Sequence, residues 1–246
     1  MNRVAPRLLA LVAGAATATS AGGARAEDIA RASQRASAAR ELDRPYTMVE
    51  VSAGVFALPA ATVCPTSLDA CETGEAGLAF GIRNFYRTGP FGIGAGIMWA
   101  TTVGPDAALG DPALDRDHGR AYFLVEGLFR YAFWRDEQWE WWAGAGAGGV
   151  IVNDSWSVLA DREPPEDVAF VGPRTTTIGT EGVSIGAGAG GDWTFADNWS
   201  AGLTLRYMNW YFPGDPEFSP TGDVASVTGR VDSFELSLLM AYRIAL

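Results

Sequence analysis

The chain has 246 residues, 18 arginines and no lysine, 29 acidic residues and a formal net charge of −11. That length allows one large domain or two small ones, and the acidity argues against a nucleic-acid partner. No eighteen-residue apolar stretch occurs, which excludes a transmembrane helix.

At the N-terminus, Arg3 and Arg7 precede the apolar run Leu8 to Ala18, and Ala24-Arg25-Ala26 forms a small-x-small cleavage site. Residues 1–26 therefore read as a secretory signal peptide cut before Glu27. Its removal takes away three arginines and brings the formal charge to about −14. Residues 27–44 are rich in Ala, Arg and Ser and read as an N-terminal extension in the periplasm. Only Ile29 and Leu42 are large and apolar, so a disordered tail is favoured over a short helix.

From residue 45 onward the chain reads with a period of two. Eight segments are long enough to cross a membrane as tilted strands, which takes about 9–11 residues. They run Tyr46 to Ala57, Gly77 to Arg87, Phe91 to Val103, Arg120 to Trp134, Trp139 to Asn153, Gly182 to Thr194, Trp199 to Tyr211 and Ser233 to Leu246. Three connections (RTGP, RDEQ, FADN) are tight turns; four, starting at Leu58, Gly104, Asp154 and Phe212, are long. The first long connection holds Cys64 and Cys71, which in an exported chain read as a disulfide.

One face of each segment carries no charge. Examples are Val49, Val51 and Val55 in the first and Phe234, Leu236, Leu238 and Met240 in the last. The opposite parity holds Glu50, Arg83, Glu126, Arg130, Glu140, Asp192, Arg206, Glu235 and Arg243. An apolar exterior around a charged lumen is the pattern of a transmembrane barrel; a soluble lipocalin-like barrel would show the reverse. The expected fold is all-β: an eight-stranded antiparallel up-and-down transmembrane barrel over residues 45–246, with short periplasmic turns and long extracellular loops.

The stretch WEWWAGAGAGGVI fits this scheme. Trp139 and Trp141 take the outward parity beside a short turn, and Tyr86, Phe91, Tyr131, Phe133, Trp193, Trp199 and Tyr242 fall at the same end, an aromatic girdle at a membrane interface. Gly144, Gly146 and Gly148 then face inward, as do Gly186, Gly188 and Gly190 and Gly92, Gly94 and Gly96. In so narrow a barrel, bare wall makes room for long side chains from the opposite side, such as Arg130, Arg206, Tyr122 and Met208. Glu50, Arg83, Glu126, Arg130, Arg206, Glu235 and Arg243 are the expected ion-pair network: Glu50 near Arg83 and Arg243, and Glu126 facing Arg206.

The last segment, ELSLLMAYRIAL, alternates apolar residues at Tyr242, Ile244 and Leu246. With it, the chain resembles the small eight-stranded outer-membrane barrels of the OmpA and OmpX type, over nearly all of residues 46–246. These proteins usually finish on an aromatic residue, where this sequence has Leu246. The resemblance implies recognition by the barrel assembly machinery through the last strand and a Gram-negative outer-membrane location. The sequence ends with this strand, so the peptidoglycan-binding domain that follows the barrel in the OmpA group is not expected.

Function reads least clearly. The first expectation is a non-enzymatic surface barrel acting through acidic loops in envelope structure, adhesion or partner contact. Outer-membrane lipids and lipopolysaccharide surround it, weak divalent-cation binding at the loops is a corollary, and no cofactor is expected. The alternative is a narrow pore for small solutes, favoured by the inward glycines and opposed by the balanced lumen charges. Third stands an outer-leaflet lipid-modifying enzyme. The single histidine, His118 in DRDHGR, reads as a solvated loop residue, and no nucleophile elbow or His-x-Ser pair accompanies it.

Overall fold

The computed structural model describes residues 44–63, 72–102, 116–158, 175–218 and 224–246. Pro45–Leu246 forms one compact unit. The expected signal peptide, nearly all of the expected N-terminal extension, both cysteines and most of the acids of the long connections lie outside the described residues.

Eight long strands close into an antiparallel barrel: β1 (Tyr46–Val63), β2 (Glu72–Thr88), β3 (Phe91–Thr102), β4 (Arg116–Arg135), β5 (Trp139–Val158), β6 (Thr175–Ala196), β7 (Trp199–Tyr211) and β10 (Arg230–Ala245). β8 (Glu217–Phe218) and β9 (Val224–Ala225) form a small hairpin within the last long connection. Each long strand pairs with its sequence neighbour, and β10 closes on β1 with Glu50 opposite Ala241. Within the span that all eight strands share, closure leaves no unpaired strand edge, which apolar surroundings would penalise heavily.

The strands are tilted, and the register measures by how much. Starting at Glu50, ladder partners run through Arg83, Gly96, Glu126, Gly148, Ser184 and Trp210 to Val231. Glu50 itself pairs with Ala241, ten positions further along β10. This stagger of ten is the shear of the barrel.

Alternation has the expected inside-out sense. Val51, Val55, Leu203, Leu205, Leu236 and Leu238 are exposed on the outer wall, while Glu50, Arg83, Glu126, Arg130 and Glu235 are buried in the lumen. The three tight turns stand where expected. Gly89 takes a positive φ of 54° in the first, and the Asp136 carboxylate accepts from the backbone N–H of Gln138 and Trp139 at 2.8 and 2.7 Å in the second.

At the other end the strands outrun the expected boundaries. β1 continues to Val63, β4 begins at Arg116, β5 reaches Val158 and β6 starts at Thr175. With 20 and 22 residues, β5 and β6 are about twice what a crossing needs. The last long connection is also not a simple loop. Phe212 and Val227 are buried in the same apolar cluster as Leu58, Tyr122, Val152 and Trp210, so its described parts fold back over the barrel mouth. Backbone hydrogen bonds from Phe212 N–H to the Gly229 carbonyl (2.8 Å) and from Gly229 N–H to the Pro213 carbonyl (3.0 Å) hold it there.

Candidate functional site

The lumen is organised in levels. Nearest the short turns, Arg87 forks onto Glu140 at 2.6 and 3.1 Å. Next, Arg130 forks onto Glu50 at 2.6 and 2.9 Å, with Asp192 at 3.5 Å. Its guanidinium lies over the rings of Trp142 (3.7 Å) and Phe85 (4.3 Å), so stacking and charge pairing act on one side chain. Above this, Glu235 accepts from both Arg83 (3.0 Å) and Arg206 (3.1 Å), and Arg206 also pairs with Glu126. The apolar cluster of Phe56, Leu58, Met98, Leu124, Met208 and Trp210 follows.

The tilt decides who meets whom. Three of these pairs each join strands three steps apart: Glu50 with Arg130, Arg87 with Glu140, and Glu126 with Arg206. Followed along the ladder, Glu50 arrives at Glu126, Arg87 at Gly144 and Glu126 at Trp210. Each real partner lies four residues nearer the short turns. A stagger of ten over eight strands gives about four over three, so side chains meeting across the lumen at one height are offset by that much in register.

This geometry joins Glu126 to Arg206 and corrects two other expected contacts. Glu50 is the ladder neighbour of Arg83, yet its carboxylate bonds Arg130, and Arg83 turns to Glu235. Arg243 joins no carboxylate among the described residues; its guanidinium donates to Thr194 Oγ1 at 3.0 Å and lies 5.6 Å from the Tyr46 ring centre. Arg87, with its guanidinium fully buried, is a member that sequence reasoning missed. It sits on the inward parity two residues beyond Phe85, so strict alternation to the segment's end would have found it.

The inward glycines are covered by neighbouring strands more than by the opposite wall. A Cβ on Gly96 would lie 2.9 Å from the Arg83 side chain, one on Gly188 2.9 Å from Arg206, one on Gly186 2.7 Å from Met208, and one on Gly190 2.6 Å from Trp142. Arg206 thereby leans across the bare wall of β6 toward Glu126 on β4, three strands away.

A second polar cluster lies at the long-connection end. His118 is not in a solvated loop: it belongs to β4, is 3% exposed and stacks on Trp156 with ring centres 4.9 Å apart. The longer strands account for this, because β4 and β5 place His118 and Trp156 opposite each other. His118 Nε2 lies 2.8 Å from Asp154 Oδ1, which also accepts from Arg120 Nε at 2.6 Å. Arg120 further donates to Glu75 (2.7 Å) and Ser226 (3.2 Å), and the Tyr122 hydroxyl donates to Glu75 (2.6 Å). No serine, threonine or cysteine hydrogen-bonds the imidazole among the described residues. The contacts instead tie β4, β5, β2 and the folded-back connection together.

On the outer wall, Tyr86, Phe91, Tyr131, Phe133, Trp139, Trp141, Trp193, Trp199 and Tyr242 are all exposed near the short turns. Trp139 stacks on Trp193 at 6.3 Å, and Trp199 packs on Tyr242 at 4.9 Å. A register shift between Ala132 and Trp134 turns Trp134 outward as well, an addition that simple alternation could not give.

No protein-family model and no curated protein matches the chain. Among solved structures it is similar to a major outer membrane protein from Thermus thermophilus, with TM-score 0.52 and 16% identity over 81% of this chain and 99% of that one. It is also similar to Neisserial surface protein A (TM-score 0.49, 14% identity, 80% and 96% covered). The attachment invasion locus protein Ail of Yersinia pestis follows at TM-score 0.41, with 13% identity and 82% and 99% covered. An antiparallel closed barrel of eight long strands, apolar outside and charged within, thus gives this chain the fold of the small outer-membrane β-barrels.

Proposed function

We propose that the chain is an outer-membrane surface barrel whose lumen is closed, so that its biological activity resides in the long connections. Its outer wall sits in lipid, with the aromatic girdle at the periplasmic interface and the long connections outside, in contact with lipopolysaccharide. β10 is the strand offered to the assembly machinery.

The observation that carries this reading is the filling of the lumen. Levels of ion pairs crossing the barrel lie below an apolar cluster that Phe212 and Val227 extend over the mouth. A solute path would have to part both. Desolvating these charges is expensive, and only their pairing makes burial tolerable. They are therefore held together rather than offered to solutes.

The proposed acting surface is acidic. Asp215 and Glu217 are exposed beside the mouth, and Asp106, Asp111, Asp161, Glu163, Glu166 and Asp167 add to the charge of the connections. Divalent cations bridging these acids to lipid phosphates, adhesion, and contact with another envelope component fit that chemistry. The His118 cluster acts here as a structural tie, without a catalytic role.

Swelling of vesicles that contain the refolded chain provides the test. Small sugars should enter no faster than into protein-free vesicles. Uptake graded by sugar size would instead favour the narrow-pore reading.

A further inference from the structure

Beside the mid-lumen ion pairs, the bare inner wall of β5 and β6 leaves a cavity of about 30 Å³. That is room for one or two water-sized particles. Its polar lining is unusual: Arg83, Arg130, Arg206, Trp142 and Thr204 border it, and no carboxylate does. Four buried polar atoms of these residues, Arg83 Nη1, Arg130 Nε, Trp142 Nε1 and Thr204 Oγ1, have no hydrogen-bond partner among the described residues. Their residues are at most 5% exposed.

The ion pairs create this imbalance. Glu50 takes both terminal nitrogens of Arg130, and Glu235 takes one of Arg83, so the carboxylates are drawn to one side of each guanidinium. Arg83 Nη1 and Arg130 Nε are left without an acceptor among the described residues. Guanidinium and indole groups donate only, and among these side chains the Thr204 hydroxyl alone can both give and accept. Water would satisfy the donors but would bring hydrogens of its own with almost nothing to receive them. A small anion accepts from every side and brings none, and charge-assisted N–H donors are the stronger kind.

We propose that this cavity is a binding site for one small inorganic anion of halide size, chloride under ordinary conditions. It would be held by Arg83, Arg130 and Thr204 and would complete the lumen network from within. The proposal does not depend on the surface-barrel reading, because a pore could carry the same site.

The test is urea unfolding of the full chain refolded into neutral phosphatidylcholine vesicles, in sodium chloride, sodium bromide or sodium gluconate at equal ionic strength. Gluconate is too large for the cavity. The unfolding midpoint should rise with chloride and bromide and then saturate, as stabilisation by a ligand of the folded state does. Thr204→Val, which keeps the shape of the side chain and removes the donor, should weaken the apparent halide affinity at least tenfold. Crystals grown in bromide should show anomalous scattering within hydrogen-bonding distance of Arg83 and Thr204. Equal midpoints in halide and gluconate, or a halide effect unchanged in Thr204→Val, would overturn the site. Should that variant not fold, bromide scattering from the unmodified protein decides alone, and its absence from the cavity counts against the proposal.

Discussion

Glu235 joins the two halves of the mid-lumen network, since it alone among the described lumen carboxylates accepts from two arginines. Glu235→Ala would leave Arg83 with no carboxylate and Arg206 with one partner of two. Removing one member of a buried pair costs about 3–5 kcal/mol, mainly through the charge left behind. With two arginines affected, the loss should lie at the upper end, about 5 kcal/mol. Glu126→Ala should lie at the lower end, about 3 kcal/mol, because Arg206 keeps Glu235. Urea unfolding in vesicles, followed through tryptophan fluorescence, resolves that difference. Combining Glu126→Ala with Arg206→Ala should cost less than the two single losses together, because neither charge then lacks its partner. A Glu235→Ala loss below about 1 kcal/mol, or strict additivity in the double variant, would refute the view that these charges depend on each other.

Leu203 is exposed on the outer wall, so Leu203→Arg should destabilise by about 2–4 kcal/mol in lipid, whereas Asp161→Arg should be near neutral. Matching urea midpoints for the two would show that the outward face is wrongly assigned. His118→Ala should cost about 2 kcal/mol through the lost Trp156 stack and Asp154 contact. His118→Phe, which retains the stack, should lose less, and equal losses in the same titration would mean the stack contributes nothing. Val63 faces Glu72 across β1 and β2, and Cys64 and Cys71 are the next residues in sequence. Mass spectrometry of the unreduced protein should find no alkylatable thiol; two would rule out the disulfide.

Much of the barrel was legible because lipid and lumen impose opposite chemistry on alternate residues. A strand such as Phe234 to Leu246, with Glu235 as its one inward acid, reads unambiguously. Tight turns were legible for a similar reason: Gly89 and Asp136 are residue types chosen by turn geometry. The pairing of lumen charges was less so. Parity places Glu50 inside, but its partner depends on tilt, and the stagger of ten that selects Arg130 over Arg83 belongs to the closed barrel and to no single strand. The His118 cluster was hidden by taking the needs of a membrane crossing as the length of a strand. Extending the alternation through Val150, Val152, Asp154 and Trp156 would have brought Asp154 and Trp156 inside with the rest. The folded-back connection carried no periodic signal; Val227 is buried by long-range packing that local sequence does not encode.

A closed lumen is the central claim, and planar-bilayer conductance of the refolded chain tests it most directly. At moderate salt the current should stay at the baseline of the bare bilayer, because the ion pairs and the apolar cluster leave ions no continuous wet path. Steady, well-resolved unit channels from the unmutated protein would contradict the closed lumen and establish a pore.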